Sequence, residues 1–189
     1  MMSIHSTLSE NYRDLQQKQL SACEAALVLS RKQQTQAVHL LLNLCRDGDA
    51  MVRIRAAECF MEIGGEWAVM GLMNLLDDPR SEVRIAAIGG LGILRAHQAC
   101  DKLEKIVKSE TEDIPARISA ARTLGKLGRT VGLLLIIRLL NDDKEYIRRS
   151  AASALKDIIG QVFPPTQEGV RSAKRYLEIN LNKYFSGGL

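Results

Sequence analysis

Residues able to carry charge or chemistry recur along this chain at nearly fixed intervals. Arg53, Arg84, Arg117 and Arg148 follow one another at spacings of 31, 33 and 31 residues. A row of guanidinium groups, each a fork of N–H donors, could bind phosphates. Each arginine also stands just after a turn rich in acids: Asp47 and Asp49, Asp78, Asp113, then Asp142 and Asp143. Carboxylates and turn carbonyls this near in sequence offer the guanidinium groups partners within the protein. The spacing therefore favours a structural ladder that holds neighbouring repeats in register.

Other reactive residues form no catalytic pattern. His5, His39 and His97 are far apart and lack metal-ligand spacing. Cys23, Cys45, Cys59 and Cys100 include no Cys-x-x-Cys pair and fall in helical patterns, as buried small hydrophobes of a reducing compartment do. Cys59 has no base near it in sequence to make it a nucleophile. Gly89-Gly90-Leu91-Gly92 lacks the lysine and the preceding strand of a phosphate-binding loop. No catalytic residue, metal ligand or cofactor is assigned.

The elements that must position the arginines follow from the residues around them. Counting Val52 as zero, apolar or small residues fall at positions 0, 4, 5, 8 and 11 in Val52–Ile63, and again from Val83, Ala116 and Ile147. That is one face of a helix. These second helices are expected at about Ala50–Ile63, Glu82–Leu94, Ile114–Leu127 and Lys144–Ile159. First helices are expected at about Thr35–Cys45, Trp67–Leu76, Gln98–Val107 and Thr130–Leu140, with Leu41, Leu72, Leu103 and Ile136 in equivalent places. The acidic turns between them supply caps and favour the positive ends of the second helices. Helical pairs at a fixed period mark a solenoid.

This divides the chain into three parts. Residues 1–32 form an N-terminal cap and a degenerate repeat, residues 33–160 four repeats, and residues 161–189 a cap helix with a loose tail. Atypical terminal repeats close such a stack. The cap helix, about Glu168–Tyr184, has Val170, Ala173, Leu177 and Leu181 as its buried stripe.

In a solenoid the second helices line the concave surface. Positions 3, 6, 7 and 10 point away from the apolar face, and they include Arg55, Glu58, Cys59 and Glu62 in repeat one. Repeat two places Ala86, Gly89, Gly90 and Ile93 there, and repeat three includes Arg122 and Lys126. Each glycine inside a helix costs about 0.5–1 kcal/mol relative to alanine. Either a neighbouring helix fills the space at Gly89 to Gly92, or these residues form a smooth floor for a partner. In the second case Arg55, Glu58, Glu62, Arg122 and Lys126 set the partner's orientation. Trp67, the single tryptophan, reads as a wedge between repeats rather than a binding anchor.

The repeated Val-Arg-x-x-Ala-Ala pattern after an acidic turn, ending near Ile63-Gly64, resembles the HEAT-like repeat of the phycobilisome (PBS) lyase type. The resemblance covers about Gln33 to Gly160. It implies an all-α fold: an α-solenoid, a right-handed superhelix of about four to five HEAT-like helical pairs with terminal cap helices. Proteins with such repeats include bilin lyase subunits and the iron enzyme deoxyhypusine hydroxylase. The iron of the latter is held by His-Glu pairs, and this chain has no His-Glu dipeptide. No catalytic residue of the bilin lyases maps onto it.

The function expected is a non-catalytic scaffold or adaptor holding a protein partner on its concave face. The alternatives are a bilin lyase or phycobiliprotein chaperone-like subunit, and nucleic-acid binding. A net charge of +4 is too mild to favour nucleic acid, and Glu58, Glu62 and Asp157 interrupt the basic surface. Residues 1–10 are polar, and the longest apolar run, Leu133 to Ile137, is far short of the roughly 20 residues that span a bilayer. The chain reads as cytoplasmic, without membrane contact.

Overall fold

Turn chemistry sets where each second helix begins. Asp47, Asp78 and Asp142 occupy one repeat position, and each carboxylate accepts an N–H two residues on. The donors are Asp49 at 2.8 Å, Arg80 at 2.9 Å and Lys144 at 2.9 Å. Such side-chain-to-backbone bonds lock the turn and compete with any continuation of the first helix. Asp49 then caps the next helix, accepting from the Met51 N–H at 2.8 Å.

The computed structural model describes residues 34–185. The cap and degenerate repeat expected over residues 1–32 lie outside them, as does the tail from Ser186. First and second helices alternate: α1 (Gln34–Leu44), α2 (Ala50–Ile63), α3 (Gly65–Leu75) and α4 (Ser81–Ile93). A 3-10 turn (His97–Ala99) leads into α5 (Cys100–Lys108). There follow α6 (Ile114–Lys126), α7 (Leu133–Leu139), α8 (Glu145–Ile159) and α9 (Gln167–Phe185). Among the described residues there is no strand. The fold is all-α, built of HEAT-like helical pairs. The second helices match their expected bounds to within a residue. The fourth first helix is shorter than expected and begins only after Gly132, which lies directly against Ala121.

Two compact units divide between Gly90 and Leu91, within α4. In the first, positions 0, 4 and 8 of α2 (Val52, Ala56 and Phe60) are buried with Leu41 of α1 and Leu72 of α3. Gly71 admits the Phe60 ring so closely that a Cβ would overlap it, which brings α2 and α3 together. In the second unit, Ala116, Ala120 and Leu124 of α6 are buried with Leu103, Ile136, Ile147, Ala151 and Leu155. Helix α8 ends at Gly160, whose φ of 72° is the left-handed conformation that closes a helix. Beyond it Phe163 packs edge-on against Tyr176 of α9, ring centroids 5.8 Å apart. Of the expected α9 stripe, Ala173 and Leu177 are buried and Val170 is part-exposed.

Candidate functional site

The arginines take a common post. Arg53, Arg84 and Arg148 each donate through Nη1 to the carbonyl of the turn aspartate six residues before, Asp47 at 2.8 Å, Asp78 at 2.7 Å and Asp142 at 2.8 Å. Each such aspartate thus holds the turn with its carboxylate and the next helix with its carbonyl. Arg53 does more. It grips Asp78 of the following turn with two bonds, Nε to Oδ2 at 2.6 Å and Nη2 to Oδ1 at 2.9 Å. The two side chains are 9% and 5% exposed. Burial pushes the Asp78 carboxyl up, but hydrogen bonds from Arg53 and the Arg80 amide, with the charges of Arg53 and Arg84, outweigh it and leave the carboxyl below its ordinary value. The carboxylate that bonds Arg53 belongs to the turn of the next repeat, and the carbonyls of Asp47 and Gly48 belong to its own. Repeat three departs from the scheme. Thr111 stands at the aspartate position, and Arg117 donates through Nε to the Val107 carbonyl at 3.1 Å.

The expected partner-binding residues belong to separate units. In the first unit, Arg55 and Glu58 pair along α2 at 2.8 Å, half-buried, and Glu62 is exposed one turn further. The Glu58 bond is the main reason that the Arg55 guanidinium holds its proton more tightly than usual. Ala86 and Gly89 are partly exposed, and a Cβ on Gly89 would meet no atom within 4 Å. In the second unit, Ile93 and Lys126 are exposed, and Arg122 pairs with Asp157 of α8 at 3.3 Å.

Gly90 requires a correction. It is buried, and a Cβ there would come within 2.8 Å of Met61 Cγ and 3.0 Å of Leu72 Cδ1. It is a packing contact of α4 on α2 and α3, not part of an open floor. Gly92 likewise sits against Thr123, 3.1 Å from a Cβ position to Oγ1. Cys59, Thr123 and Ala154, at the same repeat position as Gly90, are also buried rather than outward-facing. The second helices bury a wider arc than one face, because they pack on one another as well as on first helices. In the second unit a Cβ on Gly125 of α6 would come within 2.5 Å of Ile158 Cγ1 of α8. The signal was present in the sequence: all four residues at this position are small.

Trp67 is also corrected. It is 57% exposed, with Met70 beside it at 54%, so it is no wedge. Counted from Leu72 and its equivalent Ile136, these two residues match Val131 and Leu134, which are exposed too. Repeats one and three carry polar residues there: Gln36 and His39, Gln98 and Asp101. Thus α3, and α7 with the turn before it, present apolar pairs outward. The unbroken run Leu133 to Ile137 held the clue, since a helix cannot bury five consecutive residues on one stripe.

Among the described residues, no group of His, Cys, Asp and Glu is placed to hold a metal ion, and no helix is long and apolar enough to cross a membrane.

Against known proteins, the HEAT repeat family model matches residues 37–65, which are α1, the Asp47 turn, α2 and the first residue of α3. A solved structure, the complex of CpcE and CpcF of phycocyanin lyase from Nostoc sp. PCC7120, is similar at a TM-score of 0.50 and 25% identity. The likeness covers 74% of this chain and 59% of that one, so this chain spans well under two thirds of its length. No curated protein matches the chain. Fold and repeat together are those of a HEAT-like repeat protein, similar to the phycobilisome-lyase repeat type.

Proposed function

We propose that this chain is a non-catalytic HEAT-like scaffold that holds a protein partner. The observation that carries the reading is its likeness to a chain solved as part of a two-protein complex, CpcE with CpcF. The surfaces it would use are the exposed faces of the second helices. In the first unit these carry Arg55, Glu58, Glu62, Ala86 and Gly89, and in the second Ile93, Arg122 and Lys126. Gly90 takes no part. Polar residues around a small-residue surface suit orientation of a helix or loop. The test is capture of a partner by tagged wild type and by Gly89→Trp, at a position where a Cβ meets no atom within 4 Å. Retention by wild type with loss in the folded variant supports the reading; equal retention removes Gly89 from the site.

A second reading rests on the same likeness: a bilin lyase or chaperone-like subunit acting on a phycobiliprotein. It differs in outcome. Incubation with a bilin and an apo-phycobiliprotein subunit, alone and with a second lyase-type subunit, would yield covalently coloured product. Absence of coloured product in both mixtures counts against it.

A further inference from the structure

The second unit contains a cleft of about 600 Å³ between the end of α5, the start of α6, α7 and α9. Its apolar lining is Val107, Val131, Leu134, Leu135 and Val170. Its charged lining is wholly basic: Lys108, Arg117, Arg138 and Lys174, with no carboxylate among the residues that line it. Two of the four cations have partners within the protein. Lys108 reaches Glu104 at 3.4 Å, and Arg117 donates to the Val107 carbonyl. Arg138 and Lys174 are exposed on α7 and α9 and make no ion pair among the described residues. Leu134, between them in the lining, is 73% exposed.

The cleft follows from the irregularity of repeat three. In this repeat, which is longer than its neighbours (33 residues from Arg84 to Arg117 against 31), Thr111 stands in place of the turn aspartate and Arg117 is bonded to the end of α5. Short α7 then begins only at Leu133, and Val131 remains exposed before it.

We propose that this cleft docks an acidic amphipathic segment of a protein partner, with apolar anchors on Val131 and Leu134 and carboxylates toward Arg138 and Lys174. The proposal rests on the partner-binding reading above but places a contact on α7 and α9, away from the second-helix faces. Charge complementarity selects the occupant: an apolar centre with exclusively basic charges repels a basic segment and rewards an acidic one. Small-molecule sites bury most of the ligand, and a cleft that leaves Leu134 so open does not. Single-stranded nucleic acid is recognised by stacking on aromatic rings, and none lines the cleft.

The test uses the full chain and three synthetic labelled peptides of equal length. One carries leucines at helical i, i+3, i+7 spacing with glutamates elsewhere, the second has lysine for every glutamate, and the third has alanine for every leucine. Fluorescence anisotropy is read for wild type, Leu134→Asp and the double variant Arg138→Glu with Lys174→Glu. All three changed side chains are exposed, and matching helicity and melting would establish that the variants fold. The acidic amphipathic peptide is expected to bind wild type at least tenfold tighter than either control, and both variants to weaken it on the order of tenfold. No binding of that peptide, equal binding by the alanine peptide, or unchanged binding by the variants would overturn the proposal. Tighter binding of a single-stranded oligonucleotide, lost in the same variants, would also overturn it. Capture of a protein partner equally by wild type and Leu134→Asp would sink the cleft and leave the scaffold reading standing. Capture by neither would sink the scaffold reading.

Discussion

Asp78 joins three backbone or side-chain donors at once: the Arg80 amide and two nitrogens of Arg53, with its own carbonyl taken by Arg84. Losing its charge leaves a buried guanidinium unbalanced, at a cost of about 3–5 kcal/mol. Asp78→Asn is therefore expected to unfold at markedly lower denaturant, while Arg53→Met with Asp78→Leu recovers most of the loss. Urea melts measure both. The pH dependence has a defined sign. A carboxyl held below its unfolded value of about 4 stabilises the fold above that value and loses its effect as pH falls through the lower folded one. The gap in melting temperature between wild type and Asp78→Asn is thus expected to be constant from pH 7 to 5 and to narrow below about pH 4. A constant gap down to pH 2 would contradict this. The adjacent glycines of α4 diverge in the same way. Gly89→Ala is expected to stabilise by about 0.5–1 kcal/mol, since its Cβ meets open space in a helix interior. Gly90→Ala pushes on Met61 and Leu72 and is expected to destabilise by about 1–3 kcal/mol. The helix pattern alone could not separate these glycines, because the difference lies in which neighbouring helix each one faces.

At the scale of elements, the four second helices were legible because their period, acidic turns and apolar positions agree. The first helices were less so. Helix α7 begins only after Gly132, which is pressed on Ala121 in a tertiary contact with no local signature. The outward faces were read one position too wide, since helical periodicity reports one buried stripe and these helices bury a second against their neighbours. Helix α9 docks through a similarly close contact: a Cβ on Gly169 would overlap the Pro164 carbonyl oxygen. Gly169→Ala is expected to free α9 from the second unit, seen as faster amide hydrogen exchange at Ala173 and Leu177 with slow exchange retained in α6. Unchanged protection in α9 would show that the Pro164 segment yields instead.

For the whole molecule, the fold is that of HEAT-like helical pairs, and the scaffold proposed above would act through its exposed surfaces. The arginine row, open to a phosphate-binding reading in the sequence, is engaged with backbone carbonyls and Asp78. The exposed apolar pairs Trp67 with Met70 and Val131 with Leu134 were missed because single exposed hydrophobes carry no sequence signal; their repetition at one position does. The most direct test of the scaffold reading is a pull-down from source-cell lysate with tagged wild type, Gly89→Trp and Leu134→Asp, quantified by mass spectrometry against a tag-only control. One protein retained in stoichiometric amount by wild type, and lost in at least one folded variant, is the result expected. No protein retained above the control would contradict it.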